Sequence, residues 1–110
     1  MAKTLPADTQ DRLQQVAALL SATTTQLLEH PVALDRAPDL LDLHTADVQV
    51  RLHLDQAHQD VPDVLVTDRP AVLLDEAIQL LDALPEHDRA ALHGPYLVLV
   101  RAAEWAGDLG

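Results

Sequence analysis

Leucine, valine and alanine recur at three- and four-residue steps in stretches that prolines cut short, and this pattern constrains the chain more than any other feature. The first stretch follows Leu5-Pro6-Ala7, where Asp8 or Thr9 is placed to cap a helix and Asp11 lies in its electropositive first turn. Leu13, Val16, Ala17, Leu20, Leu27 and Leu28 then share one side, with Gln14, Gln15, Ser21, Gln26 and Glu29 largely elsewhere. The spacing predicts a helix over residues 8–29, ended by Pro31, which drives the residue before it out of helical geometry. Thr23-Thr24-Thr25 lowers helix propensity there; their hydroxyls are expected to bond back to the preceding turn.

Residues 31–38 read as a linker bounded by two prolines, after which a helical turn can start near Asp39 with Leu40, Leu41 and Leu43. Residues 47–55, DVQVRLHLD, carry two patterns at once, and the strand's is the better local fit. Val48, Val50, Leu52 and Leu54 alternate with polar residues, the period of a half-buried strand. Read as a helix, the same stretch aligns Leu43, Val50, Leu54, Ala57 and Val61 on one face and leaves Val48 and Leu52 on another.

Further on, Thr67, Asp68 and Pro70 form a helix-start signature ahead of an apolar stripe of Leu73, Leu74, Ala77, Ile78, Leu80, Leu81 and Leu84. Pro85 opens a second helix with Glu86 and Asp88 at its positive end, and His93-Gly94 reads as its stop. The predicted helices run near 69–84 and 85–93. Pro95 opens YLVLVRAAEWA, where the alanines favour a buried helix over a strand. The chain is therefore expected to form a single mainly α domain, residues 1–110, as a bundle of four or five short helices. The alternative is an α+β domain with a small sheet from residues 47–55, 63–67 and 96–100.

With no Phe, one Trp and one Tyr, the core must be packed with Leu, Val and Ala. Cysteine is absent, which excludes disulfide scaffolds, zinc ribbons and thiol catalysis. Eighteen acids against seven bases give a net charge of −11, with little to offer a phosphate backbone or an anionic lipid surface. Neither nucleic acid nor membrane is an expected partner. No apolar run is long enough to span a bilayer and the opening MAKTLPADTQDR lacks a secretory apolar core, so the expected compartment is the cytoplasm. Protonating all six histidines would more than halve the charge, so attraction to a cation should weaken in acid.

Catalytic motifs are missing. Ser21 is the only serine and lies in no nucleophile elbow, and the three glycines form no phosphate-binding loop. Neither Glu-x-x-His pairs nor HExxH occur, and the remaining His pairs are poorly spaced for a metal. His53 and Asp55 would share a strand face with the repelling Arg51, and on a helix His53 and His58 point roughly 140° apart. Neither a cofactor nor a metal site is expected. PDVLVTD, Pro62 to Asp68, resembles the strand end of receiver-like α/β domains, but the chain's only lysine is Lys3, and helix capping is the expected role of Asp68.

One surface pattern points outward. Asp75, Gln79, Asp82 and Glu86 follow steps of four, three and four, placing them along one side of a helix and its continuation, opposite the leucine stripe. The leading expectation is a small acidic protein-binding module, of the adaptor, inhibitor or immunity kind, meeting a basic partner through these four residues. Two other classes compete with it. One is an enzyme or ligand-binding α/β domain using Asp68 or the His53 and Asp55 pair at strand ends. The other is a structural subunit of a homo-oligomer, held through whichever of the stretches Val48–Leu54 and Tyr96–Val100 is incompletely covered.

Overall fold

The structure, a computed structural model, describes residues 7–29, 37–54, 61 and 69–107. Of the described residues 89% are helical, and none lies in a strand. The elements are α1 (Ala7–Leu28), α2 (Ala37–Leu52), α3 (Pro70–Asp82), α4 (Glu86–Ala91) and α5 (His93–Gly107).

The relative directions of the helices follow from contacts at one end of the bundle. Near the start of α1, Gln10 donates its Nε2 hydrogen to the His53 carbonyl just past α2, at 2.9 Å, and Arg12 reaches the Ala83 carbonyl just past α3, at 3.3 Å. Gly94, at the start of α5, lies against the Gln49 side chain late in α2. Helices α2 and α3 therefore arrive where α1 and α5 depart. Because α1 packs on α2 and α3, and α5 packs on the same two, neighbouring helices alternate in direction around a four-helix ring. The short α4 rests against α5 at the end where α1 begins.

The ring is filled almost entirely by aliphatic side chains. Leu13, Leu20, Leu27, Leu43, Leu74, Leu81, Leu92 and Leu99 are fully buried, each burial worth about 1.5–3 kcal/mol. Between them Ala17, Ala46, Ala77 and Ala102 keep the opposing backbones unobstructed.

The stretch with two patterns is helical. Residues 47–52 belong to α2, and residues 96–100 lie within α5, so the small-sheet alternative is wrong for both; its third strand, 63–67, lies outside the described residues, as does Ala57. Leu43, Val50 and Leu54 point into the core and Val61 packs against it, while Val48 and Leu52 are left exposed together with Leu41. A strand would need a pairing partner for its backbone, whereas the helix satisfies its own. Arg51 Nε also pairs with Asp47 Oδ1 one turn back at 2.9 Å.

Helix ends differ from the sequence expectations in four places. Ala37 and Pro38 open α2 rather than closing a linker, since proline is tolerated in a first turn. Arg69, not Asp68, is the N-cap of α3, extended at φ −68° and ψ 154°, with Pro70 next; Asp68 itself lies outside the described residues. His93 and Gly94 do not stop α4. They begin α5, whose backbone bond from the Tyr96 amide to the Leu92 carbonyl, at 3.0 Å, spans Pro95 without needing its missing hydrogen. Finally, Thr9 is not a cap. It lies inside α1, fully buried, and its hydroxyl donates to Asp88 Oδ2 at 2.9 Å.

That last bond fixes α4 to α1. Asp88 is 1% exposed, and its other oxygen lies 3.1 Å from His87 Nε2. A buried carboxylate needs such donors, because stripping its hydration without replacement is costly. The threonine run behaves as expected: Thr23, Thr24 and Thr25 donate to the carbonyls of Leu19, Leu20 and Ser21 at 2.7, 2.8 and 2.9 Å. Urea denaturation provides the check on this account. Thr9→Val, which keeps the shape and deletes the donor, should cost about 1–3 kcal/mol, and Leu74→Ala about 2–5 kcal/mol. Leu52→Ala, at a site 77% exposed, should change stability by no more than about 0.5 kcal/mol.

Candidate functional site

The acidic row divides at a proline. Asp75, Gln79 and Asp82 lie exposed along one side of α3, with Gln79 Nε2 donating to Asp75 Oδ2 at 2.9 Å, one helical turn apart. Glu86 does not sit on a continuation of that helix. The helix ends after Asp82, with Ala83 as its C-cap and residues 84 and 85 outside any helix, and Glu86 is exposed in the first turn of the separate α4. Pro85 lacks the amide hydrogen that would extend α3 and pushes Leu84 out of helical geometry, so the step of four from Asp82 to Glu86 has to be bridged by tertiary folding.

Folding does bridge it. Asp82 and Glu86 line one cleft of about 310 Å³ between the end of α3, one side of α4 and the start of α5. Leu81, Ala90 and Leu92 supply its apolar wall, Tyr96 its aromatic one, and Arg89 and His93 complete it. Asp75 and Gln79 are not part of the cleft; they extend the anionic surface away from it along α3. Leu81 and Leu92 belong to the hydrophobic core, so the wall of the cleft is rigid.

Tyr96 links the cleft to the acidic row. Hydrogen bonding to the Asp82 carboxylate, that carboxylate's charge and some loss of hydration together hold the phenol proton above its ordinary pKa, and the Arg89 charge works against them. The native state thus binds this proton more tightly than the unfolded chain does. The stabilisation it brings is complete below the ordinary tyrosine pKa and is lost as pH rises through the raised native value.

The other candidate chemistry does not assemble. His53, just past α2, has its Nδ1 2.8 Å from the Gln49 carbonyl four residues back, and Asp55 and His58 lie outside the described residues. Among the described residues no three His, Asp or Glu side chains converge as metal ligands. The strand ends required by the α/β enzyme reading are missing from the described residues. Arg89, Leu92 and His93 carried no functional signal in the sequence, and Tyr96 figures there only as the start of a stretch that could hold an oligomer; their position after Pro85 alone hints that they fold back on α3.

Comparison with known protein families, with curated proteins and with solved structures finds no significant match. The cleft must therefore be read from its own chemistry. Asp82→Asn removes the charge beside the chain's only tyrosine. The ultraviolet absorbance of phenolate, followed through an alkaline titration, should show Tyr96 ionising at lower pH than in the unsubstituted protein.

Proposed function

We propose that this protein is a cytoplasmic protein-binding module, of the adaptor, inhibitor or immunity kind, whose acidic side recognises a basic partner. One observation supports the reading above others. The carboxylates of Asp75, Asp82 and Glu86 are exposed on adjoining elements, and among the described residues none forms an ion pair with a basic side chain. Exposed carboxylates on a protein of net charge −11 create a field that accelerates encounter with a cationic surface and fixes its orientation. No described helix is long and apolar enough to cross a membrane.

The test compares retention of partners from native cell extract on the immobilised protein at low and high salt, alongside a triple variant, Asp75→Asn, Asp82→Asn, Glu86→Gln. Basic proteins held by the unsubstituted protein should be released by salt, which screens surface charge over a Debye length of about 8 Å at physiological ionic strength, and should be lost from the variant. Retention that ignores both would overturn the proposal.

A second reading, a subunit that pairs with its own copy, is favoured by α2. Its outer side exposes Leu41 by 65%, Val48 by 42% and Leu52 by 77%, and Thr45 lies between them with its hydroxyl already bonded to the Leu41 carbonyl. The spacing of Leu41, Thr45, Val48 and Leu52 is the same read in either direction. An antiparallel two-fold pairing would thus set Leu41 against Leu52 and Thr45 against Val48 of a second copy. Sedimentation equilibrium should then show dimers that Leu41→Lys with Leu52→Lys abolishes; a strict monomer at high concentration dismisses this reading.

A further inference from the structure

We propose that the cleft between α3, α4 and α5 receives one arginine side chain of the partner, its guanidinium between Asp82 and Glu86 and against the ring of Tyr96. The inference rests on the acidic reading above and makes its recognition element specific. At about 310 Å³ the space is at the small end for a ligand pocket and suits a single side chain rather than a folded element. Leu81, Ala90 and Leu92 offer an apolar wall that the methylene stem of a long cation can cover. Both carboxylates line the same cleft, and a forked donor with several N–H groups is suited to engage two acceptors at once, which a point-like ammonium does less well. Tyr96 adds an aromatic face, and guanidinium groups stack on such faces.

The charged and titratable groups around the cleft come from all three elements. Asp82 comes from α3, Glu86 and Arg89 from α4, and His93 from α5. Arg89 is exposed and, among the described residues, its side chain forms no ion pair, so it can turn to solvent when another cation enters. It acts as a weak internal competitor, and its removal should tighten binding.

The experiment uses the full chain and two capped hexapeptides of equal charge, one carrying arginine and the other lysine, with an acidic hexapeptide as control. Affinities are measured by isothermal titration at low and high salt. The arginine peptide should bind about two- to five-fold more tightly than the lysine peptide, the range expected of stacking at an exposed aromatic face. Tyr96→Leu should remove that preference, Tyr96→Phe should keep it, and Arg89→Ala should tighten both peptides. A spectroscopic readout independent of affinity comes from the phenol itself. A guanidinium beside Asp82 offsets the carboxylate, so saturating arginine peptide should lower the pH at which the only tyrosine ionises, and arginine stays charged throughout that range. If Tyr96→Leu does not fold, Tyr96→Phe and the phenol titration of the unsubstituted protein still decide. Salt-sensitive binding of both peptides without preference, or with an unmoved phenol, overturns the arginine cleft and leaves the acidic reading standing. Failure of both basic peptides to bind, or preference for the acidic one, overturns the two together.

Discussion

Pro85 has no amide hydrogen to give to α3, and the arrangement at one end of the bundle follows from the turn that it forces. Had the helix continued, Asp82 and Glu86 would be successive members of a solvated stripe. The chain bends instead at Ala83 and Leu84, and α4 closes over the end of the ring. In that position Asp88 faces inward and meets Thr9, while Glu86 and Arg89 face the cleft. One backbone restriction thus produces both a buried polar contact that holds α4 and an exposed recess that α4 helps to form.

The two consequences are mechanically joined. The Thr9–Asp88 bond connects residues 79 positions apart, and Leu92, directly after α4, is both a core residue and part of the cleft wall. A perturbation that loosens Asp88 would therefore reach the recess through the same short element. Six residues of helix have little stability of their own, so the geometry of α4 depends on its anchors.

Much of this architecture was legible from periodicity. The leucine stripes located α1 and α3 to within a few residues, because a core-facing helix repeats its apolar positions regardless of its neighbours, while α5 reads as helix from the alanines that follow its apolar run. Read locally, residues 47–54 fit a strand better, since Val48, Val50, Leu52 and Leu54 all satisfy its period while only Leu43, Val50 and Leu54 satisfy a helix's; packing against α1 and α5 overrides that local fit. For the candidate site, the step of four between Asp82 and Glu86 joined two residues that line one cleft, but through a continuous helix that does not exist. Arg89, His93 and Tyr96 approach Asp82 only when α5 packs on α3, and Thr9 finds Asp88 only when α1 packs there too. Spacing along a chain cannot report such meetings.

The double pattern of α2 also bears on the chain before it is folded. Detached from the ring, residues 47–54 have the alternation of an aggregation-prone β segment, interrupted by Asp47, Arg51 and His53 but by no proline. Those polar side chains act as gatekeepers, and packing of α2 onto α1 and α5 takes the segment's core-facing side out of reach of cross-β pairing.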